Sequence, residues 1–423
     1  MQPANHETSP CRDHRYVQPG RRGHRGFTVI EMTIALFITA EVVLAALALF
    51  DFHNKLARVQ TQISDMQQTQ RVAQYEMVRL ARMAGRGGLP AITNGAWSAI
   101  SVRDNVASGA DQVAIGFAGS PSAVDGTDIF KVRGVFSTPV FQINPTNLTG
   151  NKIAVCAYTE YQVPQNLQAL ISAVQSAATL NQTEALLAVS PISDSVYTVL
   201  ELDPTNSVLT GAPAGACTVP AWVTTAPNPT GITIAFKNTA DTLTPNFQAL
   251  SSGTIGVTPM ASVAWLGILE EYRYYIRQDV VPGNGDPAPH LSRARMIPGT
   301  ELPYQNNATN LQVDVADNIM DLQISLGVDL NGDGIVTEGN PANNTDEWLG
   351  NAAGDNLTPQ TPLREVRITT LVKTANRDFQ YSTPTKINNI ENHVYLTTDF
   401  LNTLPGRAYR RRLLQSVVGL RNL

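Results

Sequence analysis

The chain has 423 residues, room for two or three domains and an ample buried core. Only 15% of the residues are charged while Gly (30) and Pro (26) are plentiful, a composition of β-rich exported domains rather than of helical cytosolic enzymes. Its 30 Lys and Arg against 35 Asp and Glu give a net charge of −5, which excludes a nucleic-acid binder as a whole because no basic excess exists to neutralise phosphates.

The charge is unevenly placed. Residues 1–26 carry Arg12, Arg15, Arg21, Arg22 and Arg25 against Glu7 and Asp13, a local net of +3 that leaves −8 on the rest. The next run, Phe27–Phe50, is apolar at every position except Thr28, Glu31, Thr33, Thr39 and Glu41. As a helix it spans about 36 Å, enough to cross a bilayer. With the basic residues before it, the positive-inside rule keeps residues 1–26 cytoplasmic and exports everything beyond about residue 51. Asp51-Phe52-His53-Asn54-Lys55, directly after the run, offers no small-residue site for an ordinary signal peptidase.

An acid four residues into a membrane helix is costly and calls for a compensating partner, and Glu31 has no obvious one in its own segment. The bland reading of Glu31 is a snorkelling carboxylate near an interface. Glu41 lies deeper and is turned about 80° from Glu31.

No Pro or Gly occurs between Phe27 and Met83, and Leu56, Val59, Ile63, Met66, Ala73, Met77, Leu80 and Ala84 recur at helical spacing with Gln70 as the polar exception. Clustered glycines and Pro90 stop the helix, so it runs about 58 residues. The four segments are then 1–26, 27–50 in the membrane, 51–88 as an amphipathic extension, and 89–423. The last reads as strands at 111–117, 231–236, 271–276, 320–326 and 366–372 between Gly/Pro/Asn-rich loops, with a helix expected over 165–189. The fold class is α+β. Trp265, Tyr272, Tyr274 and Tyr275 read as sheet core, and Glu270 with Glu271 as surface groups facing opposite ways.

Cys156 and Cys217 suit either one disulfide in an oxidising compartment or two buried thiols. The series Asp329, Asn331, Asp333, Gly334 matches the opening of a calcium loop, in which Ile335 would offer its carbonyl and Thr337 the ninth position. Position twelve is Asn340 instead of an acid, with Glu338, Asp346 or Glu347 as substitutes; the alternative is a plain Asn/Asp/Gly turn. Ca2+ is the sole cofactor suggested. Beyond residues 1–26 the only histidines are the scattered His53, His290 and His393, and with the absence of a Walker loop, a G-x-S-x-G elbow or an HExxH motif this argues against an enzyme. The basic Tyr409-Arg410-Arg411-Arg412 is expected to pair within the chain or with another subunit.

The junction Arg25-Gly26-Phe27-Thr28-Val29-Ile30-Glu31 resembles the leader junction of type IV prepilins and type II secretion pseudopilins. That resemblance implies cleavage between Gly26 and Phe27 by prepilin peptidase, N-methylation of Phe27, and a role for Glu31 in setting register during filament assembly. YYIR (274–277), LSRAR (291–295), DNIMDLQISLGVDLNGDG (317–334), LREVRITTLVKTANR (363–377) and the ending YRRRLLQSVVGLRNL (409–423) are together similar to PilW-type minor pilins, while residues 91–262 resemble nothing placed. The likeness implies a single-pass inner-membrane protein with a periplasmic domain that moves into a type IV pilus. It also implies partners in other minor pilins, the major pilin and the inner-membrane assembly platform, and a part in adhesion and twitching motility. The competing readings are a J-type pseudopilin, or a membrane-anchored periplasmic enzyme or adhesive receptor.

Overall fold

The computed structural model describes residues 27–91, 97–107, 123–137, 140–142, 148–149, 152–157, 185–189, 197–208, 230–237, 250–251, 254–255, 265–280, 285–301, 304–306, 309–310, 312–339, 346–352, 363–378, 380–383 and 385–420. Helix α1 runs from Val29 to Met83 without a break, as the absence of Pro and Gly dictates. Gly85, Gly87 and Gly88 end it with φ of 74°, 102° and 94°, a left-handed path that side chains with a Cβ resist.

The chain divides into two units, Met1–Gln60 and Thr61–Leu423. In the first, every described residue from Phe27 to Arg58 is exposed. In the second, α1 and two antiparallel sheets share one core. The strands of four or more residues are β1 (Ile100–Arg103), β2 (Ile129–Gly134), β3 (Lys152–Ala157), β4 (Ala185–Val189), β5 (Tyr197–Val208), β6 (Thr230–Phe236), β7 (Trp265–Val280), β8 (Pro287–Met296), β9 (Gln312–Asp317), β10 (Ile319–Val328), β11 (Leu363–Lys373) and β12 (Arg411–Gly419).

The larger sheet is organised by the 16-residue β7. Its first half pairs with β4 and its second with β2 and β8; β9 closes one edge beyond β8, and β5, β6 and β3 extend the other side beyond β4. The smaller sheet has β10 and β11 at its centre, Trp348–Leu349 on one side and β12 on the other. β10 and β11 are buried almost throughout rather than at alternate positions, because α1 covers one face and the segment around Ile390, Tyr395 and Leu401 covers the other.

The expected helical stripe is the seam of the head. Met66, Ala73, Met77, Leu80, Ala81 and Ala84 join Phe130, Tyr274 and Ile276 of the larger sheet and Leu322, Ile324, Ile368 and Val418 of the smaller one in a single cluster. Alanines at three of these positions let the helix approach closely.

Three expectations change. The helix expected over 165–189 is a strand at Ala185–Val189, and residues 165–184 lie outside the described set. An apolar Ala-Leu-Leu-Ala-Val run buried between β5 and β7 gains two ladders there, which outweighs its helical propensity. Glu270 and Glu271 are not surface groups but 1% and 0% exposed. Trp265, at the outer end of β7, is 36% exposed, whereas Tyr274 and Tyr275 are fully buried on opposite faces. The strand expected at 111–117 lies outside the described residues, while those at 231–236, 271–276, 320–326 and 366–372 are present.

Candidate functional site

The N-terminal segment is the first candidate. Gly26 lies outside the described residues; Phe27 is 85% exposed. Glu31 has a partner after all. The backbone N–H of Thr28 donates to its carboxylate at 2.9 Å, the Thr28 hydroxyl donates to the same oxygen at 3.0 Å, and the Glu31 N–H donates to the Thr28 hydroxyl at 3.2 Å. This is a reciprocal capping box, and Thr-x-x-Glu ahead of an apolar run is its sequence signature. Thr33 and Thr39 donate to the carbonyls of Ile30 and Ala35, so these hydroxyls are satisfied within the helix, as an apolar surrounding demands. Through Phe50 the helix is long and apolar enough to cross a membrane.

The second candidate is the seat of α1 on the head. Gln70, the polar exception in the stripe, donates to the carbonyls of Thr370 and Arg412, both at 3.3 Å. Gln74 donates to the Thr370 hydroxyl at 2.9 Å and to the carbonyl of Ile368 at 3.3 Å. These amides meet the β11–β12 ladder, so the helix is fixed in register as well as held by apolar area. Gln74 stands four residues after Gln70 and three before Met77, a helical spacing that places it on the buried stripe although its amide is polar.

Deeper, Glu271 accepts from Arg133 at 2.6 Å, from Arg273 at 2.7 Å and from the Gly299 N–H at 2.9 Å. Burial alone would raise this carboxyl, but Arg133 and Arg273 outweigh it and hold the group down at about 2. Burial pushes the neighbouring Lys131 down to about 8. Glu270, on the other face, accepts from the N–H groups of Phe136 and Ser137 at 3.1 and 2.6 Å. These acids tie strands together; no substrate could reach both.

The aspartate loop has the oxygen groups of a calcium loop and hydrogen bonds among them. Asp329 accepts from the N–H groups of Gly332 and Gly334 at 2.8 and 3.0 Å, and Asp333 accepts from that of Ile335 at 2.8 Å. Asn331 accepts from the Asp333 N–H and donates to the Asp333 carboxylate. Thr337, expected to face the ion, donates both N–H and hydroxyl to Glu347 at 2.8 and 2.9 Å. Glu347 also accepts from Leu330 and Asn331, so it bridges both arms of the loop, while Asn340 lies outside the described residues. The Thr337 N–H holds the Glu347 carboxyl below its usual range against the effect of burial. The oxygens are of the hard type that Ca2+ takes, yet no group of three His, Cys, Asp or Glu side chains gathers around one point among the described residues.

Cys156 lies in β3 opposite Gly231, and Cys217 lies outside the described residues. Among the described residues the basic cluster is paired in part. Arg410 meets Asp378 at 2.9 Å, and the Tyr409 hydroxyl donates to Asp286 at 2.6 Å beside Arg377.

A long apolar N-terminal helix ahead of a β-rich antiparallel head defines the class of architecture. Residues 273–422, from the second half of β7 through β12, match the family model described as PilW, type IV pilus-assembly protein W. No curated protein sequence matches the chain. Among solved structures, the type IV-like pilin TTHA1219 from Thermus thermophilus is similar at 10% identity over 61% of this chain and 97% of its own, with a TM-score of 0.19.

Proposed function

We propose that this protein is a minor pilin, a non-catalytic subunit that assembles through α1 into a type IV pilus within its initiating or tip complex. The observation that carries the reading is the match of residues 273–422 to the PilW family, in a chain whose helix presents an exposed apolar half and a half seated in the head. In this reading prepilin peptidase cuts between Gly26 and Phe27, and Phe27 is methylated. The apolar half holds the subunit in the inner membrane, with the head in the periplasm, until it passes into the fibre. The freed Phe27 amine then competes with Thr28 for the Glu31 carboxylate, which lets Glu31 serve both an isolated subunit and an assembled one. Partners are other minor pilins, the major pilin and the assembly platform.

The test is intact-mass and N-terminal peptide analysis of the protein from its native membrane, in wild type, in Gly26→Ala and in a strain without prepilin peptidase. The expected result is a chain beginning at N-methylated Phe27 in wild type alone. A wild-type chain still carrying residues 1–26 would make the protein a plain membrane-anchored exported domain.

A further inference from the structure

We propose that the free edge of β12 is a docking strand for a second copy of this chain, which receives it along the open edge of β9 and the groove beside it. Among the described residues, β12 pairs with β11 alone and β9 with β8 alone. The Thr374 N–H donates to the Arg410 carbonyl at 2.9 Å and the Leu420 N–H to the Arg364 carbonyl at 3.0 Å, and the register between is continuous. Even-numbered residues therefore spend their backbone groups on β11, and residues 411, 413, 415, 417 and 419 turn theirs outward. No bulge, proline or lysine blunts that edge, and Leu413 and Val417 on it are 51% and 48% exposed.

The charge at the start of β12 lacks a counterpart among the described residues: Arg412 is exposed and makes no ion pair there.

The edge of β9 is the complement. It carries Asp314 and Asp317, with Asp279 alongside, and the groove of about 330 Å³ between β9 and α1 adds Asp65. Arg277 meets Asp314 and Asp279, and His290 meets Asp317, while Asp65 makes no ion pair among the described residues. Acids therefore exceed fixed cations there. The floor is apolar, formed by Val72, Val315 and Ala316, with Val313 51% exposed on the same strand. Leu413 and Val417 can enter it while Arg412 reaches its acids. A two-fold β12–β12 pair centred on Gln415 would instead set Arg412 against Val418, which has no charge to offer. Because the two edges are different surfaces, the contact leaves one edge of each kind free and propagates instead of closing. It does not depend on leader cleavage, so its failure and that of the pilin reading are separable.

The test places a benzoylphenylalanine photocrosslinker at position 417 in the full chain, purified in detergent as a mixture of unlabelled and nitrogen-15-labelled protein. The expected products are mixed-isotope crosslinks from residue 417 to residues 61–75 or 312–317. Their yield falls about tenfold in Arg412→Glu and in Leu413→Lys, both at exposed positions and expected to melt like the parent. Crosslinks of a single isotope only, mixed crosslinks that map elsewhere, or a yield unchanged in two folded variants would overturn the proposal. Capture of a different pilin in native membranes without any mixed-isotope product would overturn it too.

Discussion

The two halves of α1 are one helix in two settings. From Phe27 to Phe50 apolar residues occupy nearly the whole circumference and all are exposed; from Met66 to Ala84 most of them occupy one stripe that is buried, with Val72 and Tyr75 exposed beside it. An all-round apolar surface asks for an apolar solvent, whereas a one-sided stripe asks for a protein surface. Backbone hydrogen bonding is the same in both, so only the side chains tell the settings apart.

Substitution of matched residues should separate the halves most sharply. Met77→Ala, at a position with no exposure, is expected to destabilise the head by about 2–5 kcal/mol in urea unfolding. Leu44→Ala, at 66% exposure, should leave head stability within about 0.5 kcal/mol and lower retention in the membrane fraction instead. A Leu44→Ala effect as large as that of Met77→Ala would break the comparison.

Next comes pH, which acts through buried groups of the head. The Glu271 carboxyl is depressed to about 2 from 4.5, so its stabilisation is present above about pH 4.5 and lost as pH falls toward 2; Glu271→Gln should remove that part of the acid limb. Lys131 and Lys373 are pushed down to about 8 by burial. The unfolded chain then binds more protons than the folded one, and stability should rise from pH 8 toward pH 10. Tyr272 and Tyr409, raised to about 12 chiefly by burial, reverse the slope above pH 10. Urea midpoints measured across pH 2–11 check all three limbs.

At the helix start, Thr28→Ala removes two hydrogen bonds to Glu31 and should speed amide exchange in the first turn in micelles, leaving exchange around Met77 unchanged. The smallest effect is expected from calcium. A loop closed by its own N–H groups should shift in melting temperature by less than about 1 °C between millimolar Ca2+ and a chelator, while Glu347→Ala should loosen it in both. A larger calcium shift, lost in Asp329→Ala, would support the calcium reading.

Much of the site was legible because it is local. The membrane run, the helix end at Gly85 and the stripe from Met66 to Ala84 all come from residue spacing, and so does the Thr28–Glu31 box, although the cost of a carboxylate in a bilayer draws attention toward a cation instead. Glu271 shows the opposite case. Beside Glu270 on an alternating strand it reads as surface, and only Arg133 of a distant strand and the Gly299 turn make it a buried acceptor. The Ala-Leu-Leu-Ala-Val segment of β4 is alike in this respect, since a short apolar run carries no period of its own.

By itself, then, the sequence determined the long helix, its two settings, its stop and the β-rich character of the head, because propensity, hydropathy and glycine conformation act over a few residues. Only the tertiary structure decided which acids are buried, that Glu347 closes the aspartate loop, that Gln70 and Gln74 register α1 on β11 and β12, and that β9 and β12 are left with open edges. Those outcomes depend on partners tens to hundreds of residues apart, and strand pairing at such separations is set by the joint burial of all the elements rather than by any one of them.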